Sequence, residues 1–490
     1  MNRSGLLPVE RAEERALPLC VDLDGTLLES DTLYEAVIAL VRSRPLAILQ
    51  VFLWALRGKA YLKSRVADES PLDVTLLPVR EDFLDFLEQE FHQGRHLILA
   101  TATHHRFAGL IADRFGIFSD VVATSATCNL SGKAKSQALC ERFGRGGFDY
   151  AANAFADLPV WQDASEAILV NATSSLGAAL SRKRISVSRV FQKRSAGWKP
   201  FIRAIRMHQW AKNALIFAPI LLSHNIANIQ KVSAGLVAFL AFSLCASGVY
   251  LLNDLLDLES DRRHPKKRLR PLAAGLLSIP AAVCAVPALT AAAFALGYFM
   301  LGSPFVLVLA AYLAATIAYS FWLKRVLLVD VIALASLYTL RIIAGGVATH
   351  ITVSPWTFLF SASLFLSLAL MKRYSELISL KSAADFAHGR AYRAADASIL
   401  ASAGLASGYA SVVVMALYIN SPEVTLLYPH PVWIWPICLL QSYFISRFWL
   451  LAHRGAVQDD PVVVALKDKV TYMIAAVSLL FIILATGLGF

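Results

Sequence analysis

The sequence predicts two domains: a soluble α/β domain, then an all-α polytopic membrane domain of about nine transmembrane helices. Three observations lead there. Of 490 residues, 57% are hydrophobic and 17% charged, which is long enough for two or three domains and too apolar for an ordinary soluble chain. The apolar excess begins only after about Trp198, where long apolar runs alternate with short polar connections. Before that point charge and apolar residues are mixed, and an apolar strand runs into paired acids in LCVDLDGTLLESD, residues 19–31.

Residues 1–17 read as a tail. They contain no uninterrupted apolar stretch, so no secretory signal is expected. In the strand that follows, Asp22 and Asp24 are two residues apart and project the same way, while Gly25 permits a tight turn off the sheet. One carboxylate of such a pair can attack phosphorus and the other can carry protons; an acidic strand-end loop is the plain alternative. HLILATAT brings Thr101, a hydroxyl able to hold a phosphoryl oxygen. NLSGKAKSQAL offers Lys135, in preference to Lys133, to balance phosphate charge, and YAANAFADLPVW supplies Asn153 and Asp157.

Together these segments resemble the haloacid dehalogenase superfamily, in its phosphoserine-phosphatase-like branch, over residues 18–185. The resemblance implies a doubly wound sheet, an aspartyl-phosphate on Asp22, acid/base work by Asp24, and one Mg²⁺ held among Asp22, Asp24, Asn153 and Asp157. Asn153 departs from the pattern, which usually has an Asp there. An amide oxygen coordinates Mg²⁺ without adding negative charge, so metal affinity should fall. A small helical cap is expected at about 32–80. It contains PLAILQVFLWALRGKAYLKS, whose twelve mostly apolar residues are too few to span a bilayer. That stretch reads either as a helix packed on its own domain or as an interfacial helix.

Residues 186–200 read as a linker to a membrane domain over 201–490. Candidate spans lie near 213–230, 232–252, 277–300, 304–323, 326–348, 354–372, 398–420, 432–450 and 470–489; the first is interrupted by His224 and Asn225. Six scattered cysteines without CxxC spacing argue against a disulfide framework or a zinc site. The formal charge is +11, and its placement excludes nucleic acid as the reason for it. Lys and Arg crowd alternate connections: Arg262 to Arg270; Lys324 and Arg325; Lys372, Arg373, Lys381, Arg390 and Arg393; Arg454, Lys467 and Lys469. The connections near 301–304, 349–355 and 421–431 have none. By the positive-inside rule the basic side is cytoplasmic. With nine spans this gives a multi-pass protein of the cell (inner) membrane, its N-terminal domain cytoplasmic and its C-terminus on the opposite side.

The connection NDLLDLESDRRHPKKRLRPLAAG, residues 253–275, carries both signs of charge. Asn253, Asp254, Asp257 and Asp261 fall broadly on one face if the preceding helix continues. Convergent carboxylates with incomplete coordination suit Mg²⁺ shared with a diphosphate, and the following bases suit phosphoryl oxygens. A solvated, topology-setting loop would explain the bases but not the acids. The pattern resembles the UbiA-type prenyltransferase superfamily, over residues 198–490, which implies Mg²⁺ and a lipid substrate entering from the bilayer. RMHQWAKN, LYTLRIIAGGVAT and LMKRYSEL, with the charged connection, look most like its decaprenyl-phosphate phosphoribosyltransferase branch.

That resemblance implies transfer of ribose 5-phosphate from phosphoribosyl pyrophosphate to a polyprenyl phosphate. Metal on Asp254 and Asp257 would hold the pyrophosphate, with Asp261 in support. Lys212, Asn213, Asn253, Arg268, Arg270, Arg341, Lys372, Arg373 and Tyr374 are the substrate-binding candidates. Arg341 lies deep in an apolar run, where an ionisable residue is functional by default. Lys372 and Arg373 have snorkelling as their plain alternative, and Tyr374 has interfacial anchoring. Asp459, Asp460 and Asp468 are candidates for a lid. The front domain would then remove the 5-phosphate from the lipid-linked sugar. Two alternatives stand beside this reading. One is an aromatic prenyltransferase acting on polyprenyl diphosphate and 4-hydroxybenzoate or a similar acceptor, although Asp330 stands alone where that branch carries a second aspartate-rich motif. The other is a catalytically inactive front domain that serves for docking.

Overall fold

The computed structural model describes residues 17–126, 128–192, 197–379, 391–457 and 460–487. Lys381, Arg390 and Asp459 lie outside the described residues. The chain forms two compact units. The first comprises residues 1–204 together with 252–284, and the second comprises 205–251 and 285–490.

The first unit is built on a six-stranded, wholly parallel sheet of β1 (Leu19–Val21), β2 (Leu97–His104), β3 (Asp120–Thr124), β4 (Asp149–Ala152), β5 (Ala167–Val170) and β6 (Val187–Phe191). The spatial order is β3-β2-β1-β4-β5-β6, the doubly wound arrangement. Alternation along the strands divides the core. Leu19, Val21, Leu97 and Leu99 pack on one face; Cys20, Ile98, Ala100 and Tyr150 pack on the other, as a period of two requires. The sixth strand falls inside the stretch 186–200 expected to be linker, because Val187 to Phe191 pair with β5 and extend the sheet.

Between β1 and β2 the chain forms the all-helical cap: α1 (Thr32–Ser43), α2 (Ala47–Leu56) and α3 (Lys59–Glu69), then α4 (Glu81–His92). Asp31 caps α1 by accepting from the Leu33 and Tyr34 amides. Helices α5 (His105–Phe115), α6 (Lys133–Phe143), α7 (Leu158–Asp163) and α8 (Ser174–Arg182) link the later strands, and α9 (Lys199–Ala204) ends this part of the unit.

After α9 the expected first span, 213–230, does not form one long helix. Met207–Phe217 is a 3₁₀ segment, α10 (Ala218–Leu222) is short, and α11 (Ile229–Leu256) starts afresh. His224 with positive φ and the Asn225 amide donating to the Ser223 carbonyl break the run. Close approach of the 3₁₀ segment to a later helix depends on Gly345, where a Cβ would lie 2.0 Å from the Ile216 carbonyl oxygen.

The remaining helices are α12 (Leu258–Arg263), α13 (Ile279–Leu301), α14 (Ser303–Phe321), α15 (Val329–Thr349), α16 (Pro355–Ile378), α17 (Ala397–Ile419), α18 (Pro422–Leu427), α19 (Trp435–His453), α20 (Pro461–Ala465) and α21 (Lys469–Ala485). Among the described residues seven helices are long and apolar enough to cross a membrane: α11, α13, α14, α15, α16, α17 and α19. The apolar run expected as the ninth span, 470–489, forms the 17-residue α21, about 25 Å at 1.5 Å per residue and so shorter than a typical hydrocarbon core. The second unit's core centres on α15, α16, α17 and α19, where the Tyr338 and Phe365 rings stack 5.1 Å apart.

Candidate functional site

The phosphatase candidates gather at the carboxyl edge of the sheet. Asp22 follows β1 and Asn153 follows β4, on either side of the point where strand order reverses, the usual ligand position in such sheets. Asp22, Asp24, Lys135, Asn153 and Asp157 line one cavity of about 250 Å³. Lys135, presented by α6, is 2% exposed. Its Nζ donates to Asp22 Oδ1 at 2.8 Å, to the Tyr150 hydroxyl at 2.8 Å and to Asp157 Oδ1 at 3.2 Å. Lys133, the other candidate, is exposed. Burial pushes the Asp22 carboxyl up to about 7, with Lys135 opposing and Asp157 reinforcing the shift.

Asp24 is held in place: Oδ1 accepts from the Thr32 amide at 2.8 Å and Thr32 Oγ1 at 2.5 Å, and Oδ2 accepts from Thr103 Oγ1 at 2.6 Å. Here one expectation is corrected. Thr101 is fully buried and its hydroxyl accepts from the Thr103 amide. Thr103, not Thr101, lines the cavity. The register of β2 against β3 shifts between Thr101 and His104, and an irregularity of that kind re-aims side chains. The cap supplies two groups that motif reading missed. Asp31 lines the cavity, and so does Lys63, whose Nζ donates to the Ala102 carbonyl at 2.6 Å and Asn129 Oδ1 at 3.0 Å.

This lining sets four carboxylates, Asp22, Asp24, Asp31 and Asp157, against two ammonium groups, Lys63 and Lys135. An acidic excess with an amide oxygen beside it fits a hard divalent cation. Among the described residues no three acidic, His or Cys side chains converge tightly enough to hold an ion alone. The Asn153 amide, backbone carbonyls and substrate oxygens would therefore share the coordination.

The charged connection also belongs to the first unit. At Asp257 (φ −95°, ψ 10°) α11 gives way to α12, yet the Asp257 amide still donates to the Asn253 carbonyl and the Asp261 amide to the Asp257 carbonyl, both at 2.8 Å. Asp254 and Asp261 are each 2% exposed, and one Arg270 nitrogen bridges them at 3.1 Å and 2.5 Å. Burial raises the Asp261 carboxyl, and Arg270 opposes that rise. Asn253 and Asp257 are half-buried and Arg268 is exposed. Arg270 is thus the internal counter-ion of the acidic pair, so a divalent cation suits these donors only by taking over that neutralisation.

The basic run is not uniformly available to phosphate. Arg262 makes a two-pronged pair with Glu35 of α1, at 2.5 Å and 3.0 Å; Arg263 pairs with Glu259 and Asp73. The end of this connection reaches the carboxyl edge of the sheet: Leu272, Gly275, Leu277 and Ser278 line a second cavity, of about 260 Å³, together with Asp24 and Asn153. A Cβ on Gly275 would lie 2.6 Å from Glu29 Cβ.

In the second unit Arg341 is 5% exposed. Its partners are uncharged: Asn213 Oδ1 at 2.8 Å, the Leu337 carbonyl at 2.5 Å and the Tyr312 hydroxyl at 3.1 Å. Asn213 in turn donates to Ser243 Oγ. Lys212 and Lys372 converge on Asp460 Oδ2 at 2.8 Å and 3.2 Å, while Tyr338 donates to Oδ1 at 2.8 Å. Asp460 was legible only as a lid candidate, since nothing local in the sequence links it to Lys212. Two expectations are corrected here. Arg373 is 1% exposed and fully engaged by Asp330, Glu376 and Tyr319, so it balances internal carboxylates. Tyr374 is buried, with its hydroxyl 2.7 Å from His453 Nδ1, so it lies in the interior.

The profile of the UbiA prenyltransferase family matches residues 216–463. The uncharacterized protein y4nM of Sinorhizobium fredii is 38% identical over 467 residues, 94% of this chain and 90% of that one. Nodulation protein NoeC of Azorhizobium caulinodans is 36% identical over 272 residues, 55% of this chain and 87% of that one. Decaprenyl-phosphate phosphoribosyltransferase of Mycobacterium tuberculosis is 42% identical over 185 residues, 36% of this chain and 59% of that one. By that profile match and the full-length likeness to y4nM, the chain belongs to the UbiA prenyltransferase family.

Proposed function

We propose that the membrane domain transfers 5-phosphoribose from phosphoribosyl pyrophosphate to a polyprenyl phosphate, and that the front domain then removes the 5-phosphate. The observation that carries this reading is the connection from Asn253 to Gly275. It holds the acidic transferase motif at one end, and its continuation forms part of the wall around Asp24 and Asn153 at the other. A phosphatase so joined to the source of its substrate works at a raised local concentration.

In the transfer step an oxygen of the lipid phosphate attacks C1 of the ribose as the bond from C1 to pyrophosphate breaks. Mg²⁺ at Asp254, Asp257 and Asp261, when bound, supplies charge neutralisation for the departing pyrophosphate. Arg270 is poised to shift from the carboxylates to incoming phosphoryl oxygens. Arg341, buried with only neutral partners, and the two lysines sharing one Asp460 supply uncompensated positive charge for the sugar and lipid phosphates. Asn213 positions Arg341. In the second step Asp22 attacks phosphorus of the 5-phosphate, Asp24 protonates the departing 5-oxygen to a hydroxyl, and water releases phosphate from Asp22 with Asp24 as base. Lys135 holds the phosphoryl charge; Asp22 and Asn153 would hold Mg²⁺, which would supply the remaining neutralisation.

Topology follows from the same connection. The buried Glu35–Arg262 pair supports a front domain and connection that share one side of the membrane, the cytoplasmic side by the positive-inside rule. Because α11 crosses once before the connection, the stretch 205–228 crosses as well. Its eleven-residue 3₁₀ segment and five-residue α10 extend about 30 Å at about 2.0 and 1.5 Å per residue. Counting this stretch and α21 as crossings would give nine, with an external C-terminus. The aromatic prenyltransferase reading is disfavoured because Asp330, fully buried against Arg373 and Tyr392, is closed to a second metal.

The test is mass spectrometry of the lipid product after the purified chain is given Mg²⁺, phosphoribosyl pyrophosphate and polyprenyl phosphate, beside Asp22→Asn. Ribosylated lipid without its 5-phosphate from the wild type, and with it from the variant, is the expected result. No ribosylated lipid, with prenylated 4-hydroxybenzoate formed from polyprenyl diphosphate instead, would overturn it.

A further inference from the structure

Helix α2, AILQVFLWAL, contains one polar residue, Gln50. A helix of a soluble domain keeps one apolar stripe inward and turns a polar face to water; α2 has the stripe and lacks the polar face. Ala47 and Trp54 are buried in the front domain's core, with Val51 packed against it. Apart from exposed Gln50, the rest of the circumference is apolar and open. Leu46 is 80% exposed, Ile48 58%, Leu49 64%, Phe52 65%, Leu53 59% and Leu56 71%.

We propose that α2 lies in the bilayer interface, its outward face sunk among acyl chains and its flanking cations at the headgroups. Three observations select lipid over another occupant. Among the described residues seven helices are long and apolar enough to cross a membrane, so the front domain is tethered to a bilayer. Ten residues span only about 15 Å, too little to cross but suited to lying in the interface plane. Exposed Arg44 precedes the helix and exposed Arg57 and Lys59 follow it, an arrangement complementary to anionic lipid.

The consequence reaches the phosphatase cavity. Gly58, at φ +107°, is all that separates Arg57 from α3, and α3 carries Lys63 and Val66 of the cavity wall. A lipid-seated α2 therefore fixes the cap wall at bilayer height, which suits a phosphate ester carried by a lipid rather than a free sugar phosphate. The placement of α2 itself requires only that the chain be a membrane protein, so it stands or falls separately from the phosphoribosyl reading.

The test uses the full chain in nanodiscs containing anionic lipid, with exposed Cys128 and Cys284 replaced by Ser and Phe52→Cys carrying an environment-sensitive fluorophore. The same protein without Phe52→Cys sets the background, and Phe91→Cys, at a 41% exposed site of the same unit, serves as the reference. Emission typical of an apolar site is expected at position 52. Quenching there by acyl-chain nitroxides should exceed that at position 91 by at least about threefold, with iodide quenching correspondingly reduced. Iodide quenching equal to that at position 91 would overturn the proposal by showing α2 in water. Apolar emission untouched by lipid nitroxides would also overturn it, by showing protein, from this chain or a second copy, against the helix.

Discussion

Removing one partner of the Glu35–Arg262 pair should loosen the first unit more than any surface substitution. Glu35 is 2% exposed and the Arg262 side chain 8%. Both terminal guanidinium nitrogens are engaged, at 2.5 Å and 3.0 Å, and Nε donates to the Ala273 carbonyl at 3.1 Å. Breaking a buried pair from one side leaves the other charge uncompensated, at a cost of about 3–5 kcal/mol, whereas replacing both members with apolar residues is often neutral. At about 2–4 °C per kcal/mol for a unit of this size, Glu35→Leu or Arg262→Met alone should lower the front unit's Tm by about 6–20 °C. The double variant should recover most of the loss. Calorimetry of the purified chain in detergent reads the transition, and hydrogen exchange over 252–275 locates the loosened segment. If the double variant falls by the sum of the two singles, the pair is uncoupled and the inferred joint between the phosphatase and the connection is wrong.

Three further outcomes follow from the same geometry. Arg341→Met should lower kcat/KM for lipid transfer by about 10²-fold, as loss of an electrostatic donor does. Because it removes a buried charge with neutral partners, Tm should hold or rise; a fall in Tm would mean Arg341 is structural. Asn153→Asp should lower the Mg²⁺ concentration needed for half-maximal phosphatase activity by about tenfold, since a carboxylate adds charge where the amide has none; an unchanged requirement would remove Asn153 from the ligand set. Asp31 is pushed up to about 6 by burial first and by Asp24 second. The folded state therefore holds that proton more tightly than the unfolded state, and the charged form is penalised as pH rises from about 4 to 6. Asp31→Asn, which keeps an N-cap, should stabilise the front unit by up to about 3 kcal/mol above pH ~6 and by little below pH ~4. A gain that does not vary with pH in calorimetry would refute the assignment.

Local patterns in the sequence carried much of this architecture. Strand-end acids, an α/β composition before Trp198 and apolar runs after it depend on residues close together in the chain, so periodicity and spacing suffice to read them. The same holds for Asp22, Asp24 and Lys135, because strand and helix geometry fix how neighbouring side chains project. Tertiary structure decided what depends on distant partners. Thr103 replaced Thr101 at the cavity through a register shift that only the pairing with β3 creates. Arg373, in sequence a helix-end base, became the counter-ion of Asp330, 43 positions away. Asp460 found Lys212 across 248 positions. The run 213–230 became a 3₁₀ segment and a short helix because polar residues interrupt it and Gly345 lets its backbone approach α15. Charge type is written locally, but whether a charge meets substrate, metal or an opposite charge of its own chain is settled by packing, since a buried ion must be neutralised by whatever the fold brings beside it.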